Sequence, residues 1–243
     1  MRGRCLSAVG AVLAIALFTL AAAPCTAVLR TISENTASAT LVIDAGHGGF
    51  DGGQVDRLFG GAVSERGVSE QAINLSVAQR VRALACFFGV QTAMTRTDEG
   101  ALDYDPSRSV RENKIADIHA RERIVQSIPS PVFVSIHLNK FNDPQYHGAQ
   151  VFYSANSAFG KPLAEALQSA LISGCDPENR RQAKQAESSV YLMRALTCPA
   201  VIVECGFLSN PDEETRLADE NYHKKLAVCI VTGYLRYADG HGG

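Results

Sequence analysis

The chain has 243 residues, 46% of them hydrophobic and 20% charged, the balance of a folded protein with a real core. Its net charge of -2 offers no basic footprint for nucleic acid. It has no tryptophan and only 7% aromatic residues, which argues against a base-stacking platform or a lectin-like sugar stack.

The first stretch stands apart from the rest. Arg2 and Arg4 precede an apolar run from Leu6 to Ala23, and Cys25-Thr26-Ala27 places small residues where a signal peptidase cuts. Residues 1–27 are expected to be a signal peptide or, because ~18 apolar residues are borderline for crossing a bilayer, an N-terminal membrane anchor through residues 6–23. Either route exports the protein. Pro24 before Cys25 spoils the usual lipoprotein acceptor pattern. Loss of residues 1–27 removes two arginines and no acids and leaves a charge of -4. Residues 28–38 form a polar spacer, residues 39–238 the expected catalytic domain, and residues 239–243 a tail.

Of seven cysteines, Cys5 and Cys25 lie in the export segment. Cys86, Cys175, Cys198, Cys205 and Cys229 show neither CxxC nor ladder spacing. That excludes a cysteine zinc site and a disulfide framework, and selects no pair for a single disulfide. Small buried hydrophobes are the expectation for most of them.

From Thr40 onward, apolar runs alternate with helical patterns. Leu41-Val42-Ile43 is a buried strand ending in a glycine-rich turn. Ser69 to Phe88 is a helix, with Ser69 as its cap and Ala72, Ile73, Val77, Val81, Leu84 and Ala85 at helical spacing. Gly89 closes that helix before a strand from Val90 to Thr95. A surface loop from Asp98 to Arg108 leads to a second helix, Ser109 to Ser127. Pro131 introduces a strand over Val132 to Ile136. Gly148 to Tyr153 is another strand and Lys161 to Ser173 a helix. Val190 to Met193 and Ala200 to Val203 are expected as short strands, Pro211 as the start of a helical turn, and Asn221 to Tyr237 as a final helix. The alternation predicts a single α/β domain with a mostly parallel twisted sheet and helices on both faces.

Three apolar strands end alike: Ile43 runs into Asp44-Ala45-Gly46-His47, Ile136 into His137, and Val203 into Glu204. Ligands of open α/β sheets collect beyond the carboxyl ends of the strands, so two histidines and a glutamate are aimed at one rim. Glu70, in the first turn of the helix after the His47 loop, starts near the same rim. Two histidines and one carboxylate make a catalytic zinc set that leaves a position for water, with Glu204 free to act as general base. Gly46, Gly48, Gly49, Gly52 and Gly53 let backbone approach a metal or substrate. The lysine-serine/threonine ending of a phosphate loop is missing.

Each of these residues also has a structural alternative. A lone histidine at a strand end is more often a hydrogen-bonded structural residue. Glu204 suits a buried ion pair, Glu70 suits a helix N-terminus, and Glu65 competes as a ligand on charge alone. His119 belongs to a solvated helix face, His147 opens a strand near the rim, and His223 and His241 are expected to be peripheral.

At these residues the chain resembles the zinc-dependent N-acetylmuramoyl-L-alanine amidases, over nearly everything from Thr40 to Tyr237. Val42-Ile43-Asp44-Ala45-Gly46-His47-Gly48-Gly49 is similar to the first zinc-histidine loop, with Ala45 where proline is usual. Glu70-Gln71-Ala72-Ile73-Asn74-Leu75 is similar to the zinc-glutamate helix start, with Gln71 where lysine is common, and decides for Glu70 over Glu65. Phe133-Val134-Ser135-Ile136-His137-Leu138-Asn139 resembles the second zinc-histidine strand. Val203-Glu204-Cys205-Gly206-Phe207-Leu208-Ser209-Asn210 resembles the catalytic glutamate segment. The strand from His147 to Tyr153, the Val190-Tyr191-Leu192-Met193 segment and Cys205 are most similar to the germination-type branch of spore-forming bacteria.

The resemblance implies Zn2+ held by His47, Glu70 and His137, with Glu204 relaying the proton. It implies hydrolysis of the amide between the lactyl group of N-acetylmuramic acid and L-alanine in peptidoglycan, in spore cortex a step toward muramic-δ-lactam. Location in the cell wall, a periplasm-like space or the spore intermembrane space follows. Some family members carry an inserted helix that plugs the site, and the connection from Ser154 to Lys161 is too short to hold one. Control then falls to an accessory protein, to metal affinity or to the timing of expression. Two rivals stand beside this expectation. A zinc carboxypeptidase-like peptidase would act without the sugar, and a non-catalytic wall-binding protein would normally lack a ligand or Glu204.

Overall fold

The computed structural model describes residues 39–49 and 61–241. The expected signal or anchor, the spacer, Gly52 and Gly53 fall outside these residues. Among the described residues, no helix is long and apolar enough to cross a membrane.

The chain alternates strands and helices: β1 (Thr40–Ala45), α1 (Glu70–Phe87), β2 (Thr92–Met94), α2 (Val110–Gln126), β3 (Pro131–Asn139), β4 (Gln150–Tyr153), α3 (Gly160–Cys175), β5 (Lys184–Gln185), α4 (Tyr191–Ala195), β6 (Ala200–Phe207), α5 (Pro211–Leu217) and α6 (Glu220–His241). The strands form one sheet in the order β2-β1-β3-β6-β4-β5. β2, β1, β3 and β6 are parallel, and β4 runs antiparallel to β6. The central strands are apolar on both sides because helices cover both faces. On one face Leu41, Ile43, Val132, Val134, Val201 and Val203 pack with α1, α3 and α6. On the other, Val42, Phe133 and Ala200 pack with Val125 of α2 and with Leu192 and Met193 of α4.

Most expected elements are present with shifted ends, and four expectations change. Val190 to Met193 is not a strand. Residues 191–195 turn as α4, because Leu192 and Met193 reach the α2 face while Ser154 and Asn156 take up the carbonyls of Met193, Arg194 and Leu196. Four apolar residues are too few to separate a period of 2 from 3.6. Ser69 occupies the cap position of α1, but its side chain makes no cap hydrogen bond. The chain enters through a bridge between Val63 and Ser69, and the Glu70 N–H goes to the Ala62 carbonyl at 2.9 Å. α6 continues to His241, so residues 239–241 are helix rather than tail. His223 is not peripheral: it is buried between the Ser76 hydroxyl (2.8 Å) and the Leu217 carbonyl (2.6 Å). The short edge strand β5 was not expected at all.

α2 shows the sequence logic most fully. Ser109 and Glu112 form a reciprocal capping box at its start. Between Tyr153 and Gly160 the chain makes only turns, so no helix is inserted there.

Candidate active site

β1 delivers Asp44 and then a loop in which His47 is left-handed, with φ of 59°. A histidine holds such a conformation only when its surroundings over-determine it. Here two arginines, each 3% exposed, take the loop's carbonyls. Arg96, just after β2, donates to Ala45 O (2.8 Å), Gly46 O (3.0 Å) and Gln71 O (2.9 Å). Arg121, on the inner face of α2, donates to Ala45 O (2.9 Å), His47 O (2.6 Å) and the Asp117 carboxylate (2.8 Å), and also pairs with Asp44. Asn74 of α1 adds a donor to Gly46 O at 3.2 Å. Three successive carbonyls are thus satisfied.

Asp44 anchors the same network from below. Burial alone would raise its carboxyl. The Arg121 guanidinium and the hydroxyls of Ser135 and Thr95 outweigh it and hold the group at about 2.

The rim is a row across the sheet. His137 is in register with Glu204, and Glu204 with Gln150 on its other side. A register shift follows between His137 and Asn139, the kind of irregularity that re-aims side chains beside functional sites. Gly46 is glycine for a steric reason: a Cβ there would collide with the His137 imidazole. Gly61, with φ of 80°, would place a Cβ against the Glu70 carboxylate and the His47 ring.

Glu70 is 3% exposed and lies where these pieces meet. Its Oε1 faces His47 Nε2 and His137 Nδ1, each at 3.2 Å, and accepts from the Leu138 N–H at 3.1 Å. Its Oε2 accepts from the Ala62 N–H at 2.7 Å. Burial would raise this carboxyl, but hydrogen bonds and charge from His137 and His47 hold it well below the usual carboxylate range. The two histidine rings meet edge to face with centroids 4.9 Å apart.

One ligand-type atom from each of His47, Glu70 and His137 lies within 4.8 Å of the others. Two imidazoles and a carboxylate converging on one point fit a transition metal such as zinc. Glu204 Oε2 is buried beside them without a hydrogen-bond partner. Burial, with the Glu70 charge adding to it, pushes the Glu204 carboxyl up to about 8. A cavity of about 230 Å³ opens next to the histidines, lined on its far side by Asp117, Ile118 and Leu192.

The four residues singled out from sequence therefore stand together at one rim. Glu65 is exposed on a turn and is absent from the cluster. His119 bonds Glu122 and, across to α4, Tyr191 rather than the cluster, and His147 is exposed. Sequence reasoning missed Arg96, Arg121, Asn74 and Gln150. Arg121 left a signal, since it falls one helical turn from buried Val125 and from Asp117. Arg96 left a weaker one, two residues beyond the end of β2.

Residues 41–236 match the N-acetylmuramoyl-L-alanine amidase family. The chain is 34% identical to the germination-specific N-acetylmuramoyl-L-alanine amidase of Bacillus subtilis (strain 168) over 197 residues, 81% of this chain and 78% of that protein. Its fold is similar to the CwlD amidase of Clostridioides difficile, solved in complex with the GerS lipoprotein. There the TM-score is 0.76 at 33% identity, covering 83% of this chain and 98% of that one. The amidase AmiC2 of Nostoc punctiforme superposes with a TM-score of 0.68 at 27% identity, covering 83% and 98% of the two chains. With the match over residues 41–236 taking in every residue of the rim, this chain belongs to the N-acetylmuramoyl-L-alanine amidase family and hydrolyses the amide between the lactyl group of N-acetylmuramic acid and L-alanine.

Proposed function

We propose that the chain is an exported, zinc-dependent amidase of spore cortex, with His47, Glu70 and His137 as metal ligands and Glu204 as general base and acid. The carrying observation is the convergence of two imidazole nitrogens on one oxygen of Glu70, beside a buried carboxylate oxygen that lacks a partner. A zinc ion there supplies Lewis acidity at the lactyl carbonyl and lowers the pKa of water to about 7.

The chain's own residues do the remainder. Glu204 takes a proton from the attacking water, whose oxygen bonds to the lactyl carbonyl carbon. It returns that proton to the L-alanine nitrogen as the C–N bond breaks. A carboxyl raised by burial suits a group that must both accept and give a proton. Arg96 and Arg121 hold the His47 loop while this happens.

Likeness to the germination-specific amidase supports cortex as the substrate and a step toward muramic-δ-lactam as the outcome. The lipoprotein-bound relative supports an accessory protein as partner. The arginine-led apolar run at residues 1–23 supports export, by cleavage after Ala27 or by retention as an anchor.

The test is digestion of purified vegetative peptidoglycan and of spore cortex, with and without zinc, read by mass spectrometry. Zinc-dependent release of peptides beginning with L-alanine, leaving peptide-free muramic acid in cortex, is the expected result. Release from vegetative wall alone overturns the cortex assignment, and unchanged turnover after metal removal overturns the zinc assignment.

A further inference from the structure

α3 ends at Cys175, and α6 carries Cys229 at the point where the two helices pack. The sulfurs are 3.5 Å apart. Both residues are buried, at 8% and 5% exposure, in the core cluster shared by the two helices. Gly174 makes the room: a Cβ there would collide with Cys229 Sγ. The other described cysteines are not so placed. Cys86 is exposed against the Thr92 hydroxyl, Cys198 is half-buried, and the Cys205 thiol faces the Val203 carbonyl.

We propose that Cys175 and Cys229 are a disulfide site that links α3 to α6 once the protein is exported. A disulfide has its sulfurs about 2.05 Å apart, so the observed pair at 3.5 Å is one short approach from bonding distance. The two thiols are already unequal. The Cys175 thiol is pushed up by the contact with Cys229 and by burial, while that contact and Lys225 lower Cys229 against the cost of burial.

Cys229 thiolate is therefore the first nucleophile. It attacks a disulfide oxidant, glutathione disulfide or an exported thiol oxidoreductase, and displaces one thiolate. Cys175 then attacks the mixed disulfide and displaces the second. The pair loses two electrons and two protons, and the oxidant's disulfide becomes two thiols. Because both sulfurs are buried, the bond forms as α6 docks onto α3. The ring so closed contains β5, α4, β6 and α5, and hence Glu204. Restricting that segment in the unfolded chain stabilises the strand that carries the proposed base.

The oxidising compartment rests on the export proposal. The test supplies the oxidant directly, so it does not depend on location or substrate. Purified protein is refolded in glutathione disulfide, and free thiols are blocked under denaturing, non-reducing conditions. Intact mass and peptide mapping are then compared with a reduced sample. The expected result is a species lighter by two hydrogen atoms with residues 175 and 229 in one linked peptide. Its Tm should exceed that of the reduced protein by roughly 5–10 °C. Cys175→Ala, whatever its own starting Tm, should show no rise in Tm on oxidation and no linked peptide at residue 229. Quantitative blocking of both thiols, separate glutathione adducts, or a link through Cys198 or Cys205 would overturn the proposal.

Discussion

Glu204 and His137 are neighbours in one sheet row, yet they are proposed for different work. His47 and His137 each bond Glu70, whereas Glu204 Oε2 is buried with no partner. An unpartnered buried carboxylate costs stability, and such a cost persists where a site needs the group for something other than folding. Glu204→Gln keeps the volume and removes the base. Zinc stoichiometry should stay at the wild-type value while turnover falls by roughly 10²–10⁴-fold. Metal content by elemental analysis and peptide release from peptidoglycan check this. If zinc is lost with activity, Glu204 is a ligand and the division of roles is wrong. His137 and Glu204 were legible in the sequence because each follows an apolar strand without an intervening residue. His47 was legible through the glycines around it. The arginines behind them were not, because a buried guanidinium on a charge-rich helix reads as surface until the packing is known.

At the scale of elements, the His47 loop is a junction of β1, β2, α1 and α2, and Arg121 is the link from α2. Its fork reaches Asp44, Ala45 O, His47 O and Asp117 together. A lysine keeps the charge but is a single point donor on a flexible stem and cannot span those acceptors. Arg121→Lys should therefore weaken zinc affinity by about 10–100-fold, as loss of a ligand-orienting partner does. Competition with a chelator measures this directly. An unchanged zinc Kd with a lowered Tm would make Arg121 a purely structural residue. The same scale shows what periodicity can carry. Long patterns such as α1, α2 and the β3 run are fixed by many repeats of one period. Residues 190–193 hold four apolar positions, and the choice there falls to tertiary partners, Ser154 and Asn156, that sequence spacing does not bring near. β5, two exposed residues on a sheet edge, carries no hydrophobic pattern at all.

For the whole molecule, the buried charges beneath the site set how stability responds to acid. Asp44 is held at about 2 in the folded chain by Arg121, Ser135 and Thr95 against the cost of burial. The unfolded value is about 3.9. A depressed folded value means that the contribution, roughly 2 kcal/mol, is present above pH ~4 and is lost as pH falls toward ~2. Glu204 acts in the opposite sense in the metal-free chain. Its folded value is raised to about 8, so ionisation above pH ~4 favours the unfolded state. Urea midpoints of metal-free protein should therefore be highest in mildly acidic buffer and fall on the acid side through the titration of Asp44 and Glu70. Thr95→Val removes one of the hydroxyls that hold Asp44 down, so its urea midpoint should be lower at neutral pH and should fall less on the acid side than that of the wild type. Superimposable acid limbs would mean that Asp44 does not govern acid unfolding, and that the charges around the His47 loop serve the site without limiting the fold.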